Sequence, residues 1–385
     1  MSDFNGTINS KLPGVGTSIF ATMSALANEH KAINLSQGFP DFHVAEKLIS
    51  LVNHHMKKGH NQYAPMQGIP SLREVLSQKA ETLYGVKYNP ETEINITAGG
   101  TQAIYTAITA FVRENDEVII LEPAYDSYVP GILLNGGIPK YARLKHPDYR
   151  IDWEEVKKLI THNTRMIIIN SPHNPSGSVL HAVDMNALEK LTKKTDIIII
   201  SDEVYEHLIY DGIQHESVCR YPGLAERSLI VGSFGKTFHA TGWKMGYVMA
   251  PAPLMSEFRR AHQFVVFCCN TPIQYALAEF MSDPANWNTL HLFYQKKRDH
   301  FQTLIQGSRF KIIPCYGTYF QLLDYSNISD EDELAFAMRL TIEKGVASIP
   351  VSMFYHKPLN NSTLRFCFAK KEETLEKAAN ILCKI

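Results

Sequence analysis

Short apolar runs, each closed by polar or turn residues, recur through the middle of the chain. They cover residues 117–121, 165–170, 197–201 and 228–232, and a further run lies within residues 93–105. Such runs are typical of parallel strands that are buried on both faces. Segments with helical spacing, such as residues 182–194, lie between them. The pattern therefore predicts an α/β fold whose mostly parallel central sheet is wrapped by helices.

Apolar positions three and four residues apart predict further helices. They span residues 18–30, 254–264, 287–306 and 332–345. Another helix is predicted to begin at Pro70-Ser71. Glu74 follows Ser71 by three residues, which is the spacing of a capping box.

The C-terminal part of the chain combines helices with two predicted strands, residues 318–323 and 363–368. In the second strand Leu364, Phe366 and Phe368 share one face, and Arg365 lies on the other. A short strand near the N terminus leads into a turn at Gly38. We expect a large domain over residues 46–283 and a smaller α+β domain formed by residues 1–45 and 284–385.

Composition excludes several classes of protein. The 385 residues are 45% apolar and 20% charged, which is enough for a large core and more than one domain. The formal net charge of −1 gives no global field that would recruit nucleic acid or a membrane surface. No basic leader and no apolar run of about 18 residues is present, so we expect a cytoplasmic protein. The six cysteines lack C-x-x-C pairs, and neither a metal site nor a disulfide framework is expected.

Polar and aromatic side chains follow the predicted strands at their carboxyl ends. They are Tyr125, Asn174, Asp202, Tyr205 and Lys236. In doubly wound sheets ligands bind outside the carboxyl ends of the strands. The helix that follows Gly99-Gly100 also offers free amides and a positive dipole end to an anion. The sequence therefore predicts one binding site at this edge of the sheet.

The groups at this edge fit one cofactor, pyridoxal 5′-phosphate. Lys236 lies among apolar residues that lower the pKa of an amine, and such an amine forms an imine with an aldehyde. Asp202 would keep the pyridine nitrogen protonated, and Tyr125 would stack on the ring. Asn174 and Tyr205 would donate hydrogen bonds to the phenolic oxygen. The phosphate would be held by Gly100, Thr101, Ser233 and Lys244.

Each of these residues has a simpler explanation when taken alone. Lys236 would be a surface lysine, and Asp202 an ordinary helix cap. Tyr125 would be core packing, and Arg365 would be solvated on an edge strand. Only their combination indicates a cofactor site.

Three motifs carry a resemblance to a known family. They are N-S-P-H-N-P-S-G at residues 170–177, S-D-E-V-Y at 201–205 and S-F-G-K-T-F-H-A-T-G-W-K-M-G-Y at 233–247. With them the chain resembles, over nearly its whole length, the class I aminotransferases among the fold-type-I pyridoxal-phosphate enzymes. Within that family it looks most like the methionine aminotransferases and the related glutamine and kynurenine branch.

The resemblance implies a role for each matching residue. Lys236 would hold the cofactor as an imine and move the substrate proton, with Asp202 and Tyr205 as the other catalytic residues. The implied cofactor contacts are Tyr63, Gly100, Thr101, Gln102, Tyr125, Asn174, Asp202, Tyr205, Ser233, Lys236 and Lys244. The implied substrate contacts are Gly38, Phe39, Tyr63, Asn174 and Arg365. Arg365 would bind the α-carboxylate as a fork. Tyr63 would come from a neighbouring subunit, so a homodimer is implied.

Two departures from the family pattern concern charge. Many members carry arginine where this chain has Lys244, so the grip on the phosphate is expected to be looser. The second arginine that aspartate-specific relatives use has no match here. We therefore expect methionine and other large uncharged donors, held by residues 19–20, 39, 63 and 265–269. The alternatives are a cysteine-conjugate β-lyase of the same fold and, more distantly, a non-enzymatic regulator that binds the cofactor.

Overall fold

The computed structural model describes residues 6–385, so the part of the predicted small domain at residues 1–5 lies outside the described residues. The helices are α1 (Ile19–Glu29), α2 (Glu46–Lys57), α3 (Pro70–Tyr84), α4 (Gly100–Phe111), α5 (Tyr128–Leu134), α6 (Trp153–Leu159), α7 (Ala182–Thr192), α8 (Pro222–Ala225), α9 (Phe234–Thr237), α10 (Ala252–Val265), α11 (Thr271–Met281), α12 (Leu290–Ile305), α13 (Glu333–Arg339) and α14 (Glu372–Leu382). The strands are β1 (Ile33–Asn34), β2 (Ile94–Thr97), β3 (Glu117–Glu122), β4 (Ile138–Arg143), β5 (Thr164–Asn170), β6 (Ile198–Asp202), β7 (Ser228–Ser233), β8 (Gly246–Met249), β9 (Lys311–Ile312), β10 (Phe320–Asp324), β11 (Val346–Ala347), β12 (Ile349–Pro350) and β13 (Thr363–Cys367).

Seven strands form the central sheet in the order β2-β8-β7-β6-β5-β3-β4. Strands β4, β3, β5, β6 and β7 run parallel. Within this sheet, as far as the chain is described, β8 runs antiparallel to its neighbours β2 and β7. The prediction of a mostly parallel sheet is confirmed. The carboxyl ends of β3, β5, β6 and β7 meet at one edge, where the predicted site residues follow them.

An apolar core covers each face of this sheet. Along β6, Ile199 belongs to one core, and Ile198 and Ile200 belong to another. Successive side chains of a strand point to opposite faces, so both faces need apolar residues. This burial on both sides is the reason that the strands appear in the sequence as unbroken apolar runs.

A second, antiparallel sheet has the order β12-β13-β10-β9. Its apolar core also takes in Met23 of α1 and Leu35, the residue after β1. Strand β1 pairs in parallel with β11, which joins the N-terminal segment to the C-terminal part of the chain. This arrangement agrees with a smaller unit built from both ends of the chain. The boundaries at residues 46 and 284 stay a prediction.

One local prediction was wrong. Helix α3 begins at Pro70 with Ile69 as its N-cap and has no side-chain cap, so Ser71 and Glu74 form no capping box. Proline suits the first helical position because its missing N–H has no partner there in any case. The explanation of Arg365 as a solvated edge residue also fails, because β13 lies between β12 and β10 and Arg365 is 1% exposed.

The helices of residues 6–385 are of ordinary globular length. The longest, α12, has 16 residues. None of the helices in this range combines the length and the apolar character needed to cross a membrane. A cytoplasmic location stays a prediction.

Candidate active site

A cavity of about 280 Å³ lies at the carboxyl ends of the parallel strands. Most of the predicted site residues line it. They are Gly38, Gly100, Thr101, Tyr125, Asn174, Asp202, Tyr205, Ser233, Lys236, Lys244 and Arg365. Residues that are far apart in sequence therefore share one site, as the strand-end pattern predicted.

Lys236 lies on the short helix α9, directly after β7. Its ammonium donates a hydrogen bond of 2.8 Å to Tyr319 Oη, and the backbone oxygen of Gly38 lies 3.4 Å away. Burial lowers the pKa of Lys236 to about 8, and the positive charge of Arg365 acts in the same direction. A substantial fraction of this amine is therefore neutral near physiological pH and able to act as a nucleophile or base.

Asp202 ends β6, and its residue is 4% exposed. Its carboxylate accepts a hydrogen bond of 2.5 Å from Tyr128 Oη and one of 3.3 Å from the Val204 amide. Burial raises the pKa of Asp202 to about 6 in spite of these two donors. The carboxylate lines the cavity without a cationic partner in contact among the described residues. The charge of Lys236 lowers the pKa of Asp202 less than these two donors do.

Arg365 is held between aromatic rings. Its guanidinium carbon lies 3.8 Å from the ring centre of Phe320 and 5.2 Å from those of Phe20 and Phe354. Its Nη1 donates to Asn174 Oδ1 at 2.7 Å. Burial lowers the pKa of Arg365 to about 10, so the group stays protonated at neutral pH. Its Nη2 donates to the backbone oxygen of Ser36 at 3.1 Å, and its buried Nε has no partner among the described residues.

The opposite end of the cavity is suited to a phosphate. Helix α4 begins at Gly100, after Gly99 with φ of +84°. The first amides of a helix lack partners within the helix and carry its positive dipole end. Lys244 lies against this helix start, since a Cβ on Gly99 would come 3.6 Å from Lys244 Nζ. Thr101 Oγ1 lies 3.2 Å from Tyr125 Oη at the same end.

Three predicted cofactor or substrate contacts do not line the cavity, and neither do Ile19 and residues 265–269 of the predicted donor pocket. The Gln102 side chain accepts a hydrogen bond from the Ala98 amide at 2.9 Å and donates one to Thr106 Oγ1 at 2.6 Å. Phe39 is 45% exposed. Tyr63 is 82% exposed, and its ring meets that of Phe267 edge-on at 5.2 Å. The roles given to these three residues stay predictions.

Several residues of the site were missed. Tyr128 holds Asp202, Tyr319 holds Lys236, and Phe320 stacks on Arg365. Asn170 also lines the cavity, and its side chain binds the backbone oxygen of Asp202 at 2.8 Å. The signal for Tyr128 was its position three residues after Tyr125 at the same strand end. Nothing in the sequence near β10 pointed to the other two aromatic residues.

A lysine amine, an unpaired buried carboxylate and a helix start with a second lysine define the class of fold-type-I pyridoxal-phosphate enzymes. Residues 30–382 match the family model of aminotransferase class I and II. Methionine aminotransferase of Escherichia coli (strain K12) is 50% identical over 374 residues, covering 97% of each chain. Human kynurenine–oxoglutarate transaminase 1 is 33% identical over 401 residues, covering 95% of each chain.

A solved structure supports the same classification. The crystal structure of YbdL from Escherichia coli, which is described as a methionine aminotransferase, has a TM-score of 0.97 and 49% identity. The match covers 98% of this chain and 100% of that one. The chain therefore belongs to the class I and II aminotransferases, a family that depends on pyridoxal phosphate. It is an enzyme that transfers amino groups between amino acids and oxo acids.

Proposed function

We propose that this cavity binds pyridoxal 5′-phosphate and that the enzyme transfers the amino group of methionine, or of another large uncharged amino acid, to a 2-oxo acid. The proposal rests on one observation above all. The amine of Lys236, the unpaired carboxylate of Asp202 and the guanidinium of Arg365 line the same cavity. The amine would bind the aldehyde of the cofactor, the carboxylate its pyridinium nitrogen, and the guanidinium the carboxylate of the substrate.

The residues present fit the cofactor. The raised pKa of Asp202, caused by burial, is that of a carboxylate whose cationic partner is missing, and a protonated pyridine nitrogen would supply that charge. The helix start at Gly100, Ser233 and Lys244 suit the phosphate. When bound, pyridoxal phosphate withdraws electrons from the substrate Cα and makes its proton removable.

The chain's own groups then have defined tasks. Lys236, with a pKa near 8, removes the proton from the substrate Cα. Asp202 keeps its charge opposite the pyridine nitrogen, and Tyr128 fixes the position of that carboxylate. Tyr205 and Asn174 would donate hydrogen bonds to the phenolic oxygen of the cofactor. Tyr125 would cover one face of its ring.

The cavity favours uncharged side chains. Arg365 would take the α-carboxylate through its guanidinium fork. The other cations that line the cavity are Lys236 and Lys244, and both are assigned to the cofactor. A second carboxylate on the donor would therefore lose water without gaining a partner. The similarity to methionine aminotransferase and to kynurenine–oxoglutarate transaminase supports this donor class.

The site is completed by a second copy of the chain in this proposal. Tyr63 and Phe264 are 82% and 89% exposed, and Phe267 packs edge-on against Tyr63. Exposed aromatic residues in such proximity are typical of an interface. Tyr63 of one protomer would reach the phosphate and substrate of its partner's cavity, together with residues 265–269. The homodimer thus explains why these predicted pocket residues do not line the cavity of their own chain.

The test is an absorbance spectrum of the purified, cofactor-loaded protein before and after methionine is added without oxo acid. We expect loss of the band of the lysine-bound cofactor and appearance of the aminated form. Lys236→Ala should abolish turnover. The matched control is Lys297→Ala, whose half-buried amine binds the Lys370 carbonyl at 2.7 Å outside the cavity. A spectrum that methionine and other large donors leave unchanged would overturn the proposal, and pyruvate release from a cysteine conjugate without oxo acid would favour the β-lyase.

A further inference from the structure

The catalytic lysine contacts a tyrosine to which the proposed function gives no task. Tyr319 is completely buried, and its hydroxyl oxygen lies 2.8 Å from Lys236 Nζ. The same hydroxyl donates its hydrogen to the backbone oxygen of Gly38 at 2.5 Å. The tyrosine precedes β10 on the C-terminal part of the chain, whereas the lysine follows β7 of the central sheet.

The hydrogen bonds of Tyr319 have a fixed direction. A phenolic hydroxyl has one hydrogen, and the Gly38 carbonyl can only accept it. The oxygen of Tyr319 therefore faces Lys236 as an acceptor. When the amine of Lys236 is neutral, one of its N–H bonds points to this oxygen, and its lone pair is left to face another direction. That direction is towards the rest of the cavity, because Lys236 is one of the residues that line it.

We propose that Tyr319 is a positioning residue that holds the Lys236 amine whenever it is not joined to the cofactor, and so aims its lone pair at the substrate Cα. This inference rests on the proposed function, in which the lysine must leave the cofactor when an amino acid binds. The released amine needs a partner in a site with little water. Tyr319 supplies that partner without supplying a proton, so the amine remains able to act as the base.

The same segment also connects the lysine to the substrate carboxylate site. Phe320, the next residue, stacks on Arg365 at 3.8 Å. Gly38 lies tightly against Phe320, since a Cβ on Gly38 would come 2.7 Å from the Phe320 ring. Residues 319 and 320 therefore fix the base and the carboxylate fork relative to each other. A donor bound at Arg365 meets an amine whose position is set by the adjacent residue.

The decisive variant is Tyr319→Phe, which removes the acceptor and keeps the ring. Tyr294→Phe is a matched control, because Tyr294 is also completely buried and its ring centre lies 6.0 Å from that of Tyr319. Its hydroxyl bonds His239 Nδ1 at 2.8 Å and has no hydrogen bond to Lys236. Thermal unfolding of both variants reports whether the fold is kept.

The first measurement is the equilibrium of the half-reaction with methionine, followed by absorbance of the cofactor-loaded enzymes. The aminated form of the cofactor leaves Lys236 free, whereas the starting form does not. Tyr319→Phe should shift this equilibrium about tenfold towards the lysine-bound form, since a hydrogen bond to a charged group is lost only where the lysine is free. Tyr294→Phe should leave the equilibrium where it is in the wild type.

The second measurement needs no donor. Protein loaded with pyridoxamine phosphate is treated with acetic anhydride over a range of pH, and acetylation of Lys236 is followed by mass spectrometry of its peptide. The other titratable groups around Lys236 are Cys367, Arg365, Lys244, Asp202 and Tyr205. The variant replaces none of these groups, and among them it removes a hydrogen bond only from Tyr205. Loss of the Tyr319 acceptor should therefore move the labelling midpoint to lower pH.

The outcomes separate this inference from the proposed function. An unchanged equilibrium and labelling midpoint in Tyr319→Phe would overturn the inference, and so would equal shifts in both variants. A wild type that methionine does not convert would overturn the proposed donor, while the labelling midpoint would still decide the role of Tyr319.

Discussion

Tyr128 donates a hydrogen bond of 2.5 Å to Asp202 and so connects the first turn of α5 to the last residue of β6. Both residues are buried, at 2% and 4% exposure. Burial raises the pKa of Asp202, and the Tyr128 hydroxyl lowers it again because it binds the charged form. The charge of Asp202, the proposed partner of the pyridinium nitrogen, thus depends on Tyr128, which lies 74 residues earlier in the chain.

Tyr128→Phe should move the acidic limb of the pH profile of kcat to higher pH. The variant removes the hydroxyl that stabilises the carboxylate, so the pKa of Asp202 rises further and the group is neutral at pH values where the wild type is charged. At the acid end we expect a loss of about tenfold in rate, as for a hydrogen bond to a charged group. An acidic limb at the wild-type position would contradict this role.

Asp202→Asn should stabilise the cofactor-free protein at pH 8. The folded pKa of about 6 lies above the ordinary value of 3.8, so the stability due to the protonated carboxyl is complete below pH 3.8 and is lost as the pH rises through 6. An amide is neutral throughout and avoids that loss, which is about 3 kcal/mol for a shift of this size. Urea unfolding of both cofactor-free proteins at pH 5 and pH 8 measures the difference.

The same substitution should lower turnover by orders of magnitude, because an amide cannot balance the charge of a protonated pyridine. An Asp202→Asn variant that is more stable and nearly inactive would show that the same carboxylate lowers the stability of the cofactor-free fold and is needed for turnover. Equal stability of the two proteins at pH 8 would show that Asp202 has another partner.

The strand-end residues could be predicted from the sequence because the carboxyl ends of parallel strands must meet. Lys236 and Asp202 each follow an apolar run, so their proximity is a property of the sheet. Phe320 lines the cavity and Tyr319 contacts Lys236 through the tertiary placement of the segment at the start of β10, which no local pattern encodes. For Arg365, the choice between a carboxylate fork and a solvated edge residue could not be made from the strand itself, since a strand's alternation does not show what covers each face.

Arg365→Lys should lower kcat/KM for all amino acids alike. The guanidinium lies 3.8 Å from the Phe320 ring centre and donates to Asn174 Oδ1 and to the Ser36 carbonyl, and a single ammonium cannot reproduce this set of contacts. A loss of about 1.5–3 kcal/mol in transition-state binding is typical of a charged hydrogen bond. The measurement is kcat/KM for methionine, phenylalanine and glutamine with a common oxo acid. An effect confined to one donor would contradict a contact with the carboxylate that all donors share.

Glu206→Gln should destabilise the fold by about 3–5 kcal/mol, the usual result of breaking a buried ion pair. Lys79 and Glu206 are 4% and 5% exposed, and their contact measures 2.5 Å. Burial alone would raise the pKa of Glu206, but Lys79 holds it below its ordinary value. The pair therefore contributes stability above the unfolded pKa of 4.5, and this contribution is lost as the pH falls through the folded pKa.

The control for this change is Glu81→Gln, whose partner Lys87 is 70% exposed. An exposed pair of this kind contributes about 0–1 kcal/mol. Denaturant unfolding at pH 7 compares the two variants. Equal losses of unfolding free energy in the two variants would show that the buried pair stabilises the fold no more than a surface pair does.

Donor selectivity should depend on Asp126, an exposed acidic residue that lines the cavity. Its charge interacts with Arg365, and it would repel a donor that carries a second carboxylate. Asp126→Asn should therefore raise kcat/KM for aspartate relative to methionine. We expect a change of about fivefold to tenfold, because solvent screens an exposed charge. Asp148→Asn, an exposed acidic residue outside the cavity, is the matched control.

The salt dependence of this selectivity distinguishes repulsion from shape. If charge excludes dicarboxylic donors, the preference of the wild type for methionine over aspartate weakens as ionic strength rises, since the Debye length falls to about 3 Å at 1 M salt. Asp126→Asn should show a smaller salt effect, because less repulsion remains to be screened. If Asp126→Asn shows the same salt effect as the wild type, the selectivity comes from the lack of a second cation for the donor side chain and from the aromatic walls of the cavity. Aspartate as the preferred donor of the wild type would contradict the proposed substrate class itself.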